Sequence, residues 1–261
     1  MAVAFKILGT GAGPGIPSYY CDCISCNEAR ENPCLARTRS GAVVNTGKET
    51  VLIDASADMR AQLVREDIRH VDVVFISHWH YDHFGGLGDL EYYVRLYRKE
   101  KIKLFLPPDA LEEFEAAYPF LLDVFDIALW QFGEKYTFGE CDLIPLPANH
   151  SRQTAGFVLE AKQRLAYFTD TAGLPEETAA RIRGIDYLIC DATFYKDNWY
   201  PHSHQSVAQA IQLGQDLNAQ STILTHMAMH YSEPVTVAQL TEQLQAYSSA
   251  VLAYDGMVIT L

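Results

Sequence analysis

No apolar run in this sequence approaches the roughly 20 residues that a bilayer-crossing helix needs, so a helical membrane protein is excluded. Positive charge is scarce. Only 20 Lys and Arg stand against 33 Asp and Glu, for a formal net charge of −13. That balance argues against an electrostatic grip on a nucleic-acid polymer or an anionic membrane surface, and neither is expected as a partner. Low-complexity tracts and linkers are also missing, so residues 1–261 read as one continuous domain. The first eight residues lack a charged segment followed by a long apolar one. They read as a first strand and not a signal peptide, and the expected location is the cytoplasm. The Gly-rich stretch from Gly9 to Gly15 lacks the following helix and Lys of a phosphate-binding fingerprint. It is either a close-approach loop or a plain tight turn.

What is present centres on one stretch. His78, His80, Asp82 and His83 fall within six residues, between the apolar run 71–76 and the pair Gly85-Gly86. This places them on a loop after a buried strand, where backbone geometry can aim several side chains at one point. Imidazole and carboxylate together suit zinc, manganese or iron. The same arrangement recurs downstream. His150 follows the apolar run 141–146, Asp170 follows 165–168, and His226 follows 221–225. Asp54 ends another apolar run, either to orient a metal-bound His or to cap a helix over 56–66.

The rest of the chain reads as strands separated by helices. Hairpins are expected for 42–45 with 50–54 and for 156–161 with 164–168. Helices are expected near 87–99, 109–117, 205–217 and 235–246, and Asp191 ends a strand over 186–190. Residues 118–139 have no clear assignment beyond wrapping the site or forming an edge hairpin. Two similar halves, each of strands leading to ligand-bearing loops and then helices, suggest sheets packed face to face and covered outside by helices.

Six cysteines are present. Cys21, Cys23 and Cys26 form half of a zinc knuckle within 21–34, which in a reducing compartment favours a structural metal over disulfides. Cys34 or a distant His would supply the fourth ligand. Cys141 and Cys190 lie in apolar runs and read as buried structural thiols.

The set His78, His80, Asp82, His83, His150, Asp170 and His226 resembles the di-metal hydrolases of the metallo-β-lactamase superfamily. Finer strings narrow the resemblance: Gly9-Thr10-Gly11, Cys21-x-Cys23-x-x-Cys26, residues 145–151, residues 169–175, and Tyr254-Asp255-Gly256-Met257. Together they resemble the phosphoribosyl 1,2-cyclic phosphate phosphodiesterases of the carbon–phosphorus lyase pathway. The resemblance implies an αββα sandwich of α/β class, a homodimer, two catalytic divalent metals (Mn2+ or Zn2+) and one structural Zn2+. It implies that His78, His80 and His150 hold one metal, that Asp82, His83 and His226 hold the other, and that Asp170 bridges them, with Asp82 also counted as catalytic. It further implies hydrolysis of 5-phosphoribosyl 1,2-cyclic phosphate to ribose 1,5-bisphosphate, and of 2′,3′-cyclic nucleotides. In that family the fourth structural zinc ligand is a His three positions after the last catalytic one. Here Met229 stands there, and His230 beside it is the expected ligand. His204 resembles the family's additional catalytic His, with His202 as its rival. Arg152 reads as an exposed, unpartnered side chain, with contact to a substrate 5-phosphate as the other reading. Three alternatives accompany the reading. One is a broader cyclic-nucleotide or RNA-end phosphodiesterase. Another is a carrier of quinone-cofactor biosynthesis, a group that shares the Cys-x-Cys-x-x-Cys opening but tends to have a degraded ligand set. The last is a thiol-ester or lactam hydrolase.

Overall fold

Several strands are apolar at nearly every position, because both of their faces are buried. The computed structural model describes residues 2–261 and sorts these alternating side chains into three layers of packing. The first half supplies β1 (Ala4–Gly9), β2 (Gly41–Asn45), β3 (Thr50–Ile53), β4 (Val73–Phe75), β5 (Ile102–Leu106) and β6 (Phe125–Leu129). The second supplies β7 (Tyr136–Phe138), β8 (Cys141–Ala148), β9 (Thr154–Glu160), β10 (Arg164–Phe168), β11 (Tyr187–Asp191), β12 (Ser221–Thr225) and β13 (Ala250–Leu252). The last strand, β14 (Val258–Thr260), returns to pair with β1. The result is two seven-stranded sheets, ordered β14-β1-β2-β3-β4-β5-β6 and β13-β12-β11-β10-β9-β8-β7.

Period-two alternation decides which layer each residue joins. Ile7, Val44, Ile53 and Phe75 point between the sheets, where they meet Phe157, Leu165, Tyr167 and Ile189. Their neighbours Leu8, Val43, Leu52 and Val74 face outward, under the helical segments that carry Met59, Leu90 and Phe114. On the second sheet, Val158, Phe168, Leu188 and Leu224 face helices Val207–Asp216 and Val237–Leu244. The architecture is therefore the expected αββα sandwich. Phe75 shows how the sheets are joined: it stacks on Phe105 at 4.3 Å and meets Phe157 edge-on at 5.8 Å across the interface. Truncating such a ring to Ala costs about 3–5 kcal/mol.

Most expected elements form, with local differences. The segment 87–99 is not one regular α-helix. A 3-10 turn and a short α segment lead into a π-helical stretch, Tyr93–Arg98, closed by Lys99 at φ 67°. Residues 118–139 form no single hairpin, because β6 edges one sheet and β7 edges the other. Helix Met59–Arg65 starts too late for Asp54 to cap it. The cysteine segment is partly helical, with Cys26 inside helix Ile24–Glu31. Among the described residues, no helix is long and apolar enough to cross a membrane.

Candidate metal centre

Strands β3, β4 and β5 run parallel, as do β10, β11, β12 and β13. Their carboxyl ends therefore deliver side chains to a common edge. Asp54 follows β3, Ser77 and His78 follow β4, Asp170 follows β10, Asp191 closes β11 and His226 follows β12. His150 arrives from the antiparallel strand β8.

Two donor clusters result. In one, His80 Nδ1 lies 2.9 Å from His78 Nε2 and 3.3 Å from His150 Nε2, and Asp170 Oδ2 is 3.8 Å from each Nε2. In the other, His83 Nε2 is 3.5 Å from Asp82 Oδ2 and 3.1 Å from Asp170 Oδ1. His226 Nε2 is 3.7 Å and 3.3 Å from the same two oxygens. Asp170 thus turns one oxygen to each cluster.

The hydrogen bonds behind the rings fix which nitrogens are bare. Ser77 Oγ donates to Asp54 Oδ2 at 2.9 Å, so it accepts from His78 Nδ1 at 3.0 Å. Thr193 Oγ1 donates to Asp191 Oδ1 at 2.8 Å, so it accepts from His226 Nδ1, also at 2.8 Å. His83 Nδ1 donates to Asp54 Oδ2 at 2.7 Å, and His150 Nδ1 donates to the Ser203 carbonyl at 2.8 Å. All four rings therefore carry a proton on Nδ1 and point Nε2 into the site. Asp54 consequently serves as an orienting partner, a role helped by its left-handed backbone at φ 62°.

A divalent ion fits these donors. His83 Nε2, His226 Nε2 and Asp170 Oδ1 are buried and have no hydrogen-bond partner. Leaving such atoms unsatisfied is costly, and a cation would engage all three. A tetrahedral ion with bonds of about 2.0–2.1 Å places its donors roughly 3.4 Å apart, which matches the separations above. The electrostatics agree. Burial and the neighbouring imidazoles hold His78 well below the usual histidine range and lower His80 to about 4. Burial alone would raise Asp170 and Asp82, but the facing imidazoles prevail and hold both carboxylates far below their ordinary range. Burial opposes charge on His83, yet Asp170, Asp54 and Asp82 hold a proton there. His83 would give up that proton on holding a cation.

His204 stands at the rim, its ring 5.2 Å from that of His226 and nearly parallel to it. Burial disfavours its charge, but Asp191 at 2.7 Å raises its pKa to about 9. His202 is exposed, whereas His204 lines the cavity over the centre. Arg152 is not the unpartnered side chain expected: it pairs with Glu113 and bonds the Trp79 carbonyl. The Gly-rich loop proves to be a close-approach loop. Ala12, Gly13 and Pro14 line a cavity of about 270 Å³ over the centre. A methyl group on Gly13 would sit 3.2 Å from Asp82 Oδ2.

Nothing in the sequence assigns a role to Thr193, Ser77 or Ser203, and Asp191 is visible there only as the end of a strand. Asp191 is fully buried and accepts from Thr193, from the Thr171 N–H at 3.1 Å and from His204. Its one visible signal was an Asp closing an apolar strand beside Asp170.

Away from this centre, Cys21, Cys23 and Cys26 bring their sulfurs within 4.8 Å of one another. Cys34 is exposed on a separate 3-10 turn. Ser25 donates to the Met229 and Val235 carbonyls, so the cysteine helix packs on the segment carrying His230. Both His230 ring nitrogens are buried without partners. Cys141 and Cys190 are buried within the sheets, as expected.

Residues 49–227 match the family described as the β-lactamase superfamily domain. The chain belongs to the metallo-β-lactamase superfamily. It is 30% identical over 227 residues to coenzyme PQQ synthesis protein B of Methylobacterium radiotolerans, covering 74% of this chain and 73% of that protein. The corresponding protein of Methylorubrum extorquens is 24% identical over 301 residues, covering 98% and 99%. An octanoyltransferase of Porphyromonas gingivalis is 27% identical over 234 residues, covering 86% of this chain, which spans only 46% of that protein. Among solved structures, a diphosphatase from the PhnP family superposes with a TM-score of 0.87 at 24% identity, covering 99% of this chain and 98% of that one. Zn2+-bound PqqB from Methylobacterium extorquens superposes with 0.81 at 22% identity, covering 99% and 100%. These superpositions establish the superfamily fold. The His and Asp clusters at its strand ends suit divalent metal binding.

Proposed function

We propose that this chain is a di-metal phosphodiesterase acting on a small cyclic phosphodiester. The observation that carries the reading is Asp170, with one oxygen toward each cluster of correctly oriented Nε2 atoms. On this reading His78, His80 and His150 hold one cation, Asp82, His83 and His226 hold the second, and Asp170 joins them. The pair supplies Lewis acidity and offsets the negative charge that makes phosphodiesters resist attack. The chain's own contribution is to orient and neutralise. Asp54 and Ser77 fix two donor rings, and the Gly-rich loop closes the cavity over Asp82. His204, held by Asp191, presents a proton on the cavity side for the departing ester oxygen. Substrates of this class include 5-phosphoribosyl 1,2-cyclic phosphate and nucleoside 2′,3′-cyclic phosphates.

Likeness to coenzyme PQQ synthesis protein B favours a second reading, a role in quinone-cofactor biosynthesis. The filled ligand set weighs toward the hydrolase. The deciding assay is hydrolysis of bis-p-nitrophenyl phosphate by metal-loaded protein, beside Asp170→Ala and His80→Ala at matched metal content. Turnover by the parent and none by either variant is expected. No turnover by the parent, or full turnover by either variant, refutes the reading.

A further inference from the structure

The cavity over the metal centre is walled by rings on one side and, among the described residues, offers no Lys or Arg to a second anion. Trp199 lies 5.1 Å from Phe194 and 5.5 Å from Tyr231, and Tyr200 packs 6.3 Å from Trp199. All four line the cavity, and Trp199 remains 60% exposed, so a broad indole face is uncovered beside the reacting centre. No Lys or Arg lines the cavity. Lys196, close by in sequence, is paired with Glu233 and lies over the Tyr195 ring. Arg152 is held by Glu113. His204 does line the cavity, and Asp191 already matches its charge.

A phosphate monoester carries about −1.5 to −2 charges at pH 7 and is recognised by guanidinium, ammonium or several donors converging on it. A second phosphate on the substrate would meet carboxylates and aromatic rings here. A planar, uncharged ring meets what the wall offers: an apolar face for stacking, with edge contacts from the neighbouring rings.

We infer, resting on the phosphodiesterase reading above, that the substituent beside the scissile ester is an uncharged planar aromatic ring stacked on Trp199. Trp199 is thereby a specificity-determining residue. Of the two substrates named above, the nucleoside 2′,3′-cyclic phosphate is therefore favoured, and the sugar carrying a second phosphate is disfavoured.

Two measurements on metal-loaded protein test this. The first compares kcat/KM for bis-p-nitrophenyl phosphate and methyl p-nitrophenyl phosphate, which share a leaving group and differ in the group left behind. Trp199→Ala should lower the aryl-to-methyl ratio at least about fivefold, as expected for one lost stacking contact. Trp199→Phe should keep most of the ratio. An equal effect on both substrates, or none, overturns the proposal. The second uses saturation-transfer NMR with adenosine and ribose 5-phosphate as separate probes. Transfer to the adenine protons, lost in Trp199→Ala, is expected. Transfer to ribose 5-phosphate alone overturns the proposal. The outcomes separate the two readings. Adenosine binding through Trp199 without diester hydrolysis sinks the phosphodiesterase and leaves the aromatic subsite. Hydrolysis with an unchanged aryl-to-methyl ratio does the reverse.

Discussion

Replacing Asp191 with Asn tests whether one buried carboxylate both charges and places His204. The change keeps shape and removes one acceptor. Asp191 Oδ1 accepts from the Thr193 N–H at 2.9 Å, and Oδ2 accepts from the Thr171 N–H at 3.1 Å and from His204 at 2.7 Å. Whichever way the new amide turns, its NH2 faces a backbone N–H and leaves it unsatisfied, which costs about 1–3 kcal/mol. The second loss depends on pH. In the folded metal-free protein His204 titrates at about 9, against 6.5 when free of its surroundings. A folded pKa above the unfolded one stabilises fully below pH 6.5, and that contribution fades as pH rises through 9. A shift of this size is worth about 3 kcal/mol at 1.36 kcal/mol per unit. Without the carboxylate, burial is opposed only by Asp170 and Asp82, and the His204 pKa falls. The variant should therefore be less stable by up to about 4–6 kcal/mol at pH 6 and by only about 1–3 kcal/mol at pH 10. Urea denaturation of metal-free protein across that range measures the difference, and histidine NMR reads the His204 pKa directly. Should the variant fail to fold at pH 6, His204→Gln isolates the pH-dependent part. A stability difference independent of pH, or His204 still titrating near 9 in Asp191→Asn, refutes the reasoning.

Asp54→Asn should weaken metal binding by about 10–100-fold without unfolding the chain, since Asp54 orients His83 and Ser77 but faces neither donor cluster. Chelator competition would measure it, and unchanged affinity would show that His83 needs no orienting carboxylate. Cys23→Ser should remove one chelation-resistant metal per chain and lower the Tm, because the three clustered thiols would no longer close a structural site. Metal analysis showing the same resistant count in parent and variant would remove the structural zinc.

Individual donors were legible because an apolar strand ending in His or Asp is a local pattern. His78, His150, Asp170 and His226 each carry it, and the structure brings all four together. Asp191 carries the same local pattern, but its carboxylate bonds to Thr193 and His204 instead. Its importance lies in partners from the Thr193 turn and from the loop that brings His204 back, and sequence spacing does not reveal that pairing. Trp199 and Tyr231 were silent for the same reason, since their wall forms only when two distant loops meet. The partner of Arg152 is not legible in the sequence, because helix Leu111–Ala117 brings Glu113 within its reach from far along the chain. The aromatic-rich 87–99 segment has helical periodicity but not one pitch, and residues 118–139 resisted assignment because they pass from the edge of one sheet to the edge of the other.

The placement of the donors follows from strand direction more than from the donors themselves. In register, Ile53 lies beside Phe75, Phe168 beside Cys190, and Asp191 beside Thr225. Parallel neighbours end level, so the residue after each strand emerges at the same height. Antiparallel pairing would have sent alternate strand ends to opposite edges, and no rearrangement of loops this short could reunite Asp54 with His83 or Thr171 with Asp191. The packing of the two sheets then sets one row of strand ends against the other, with Asp170 from the second sheet reaching both His78 and His83 from the first. A bridging carboxylate is the smallest side chain that can present two separate acceptors to two clusters at once, and Asn would offer a donor to one of them. On the proposed reading, that is why Asp170→Asn should disturb both clusters at once, where replacing a single histidine disturbs one.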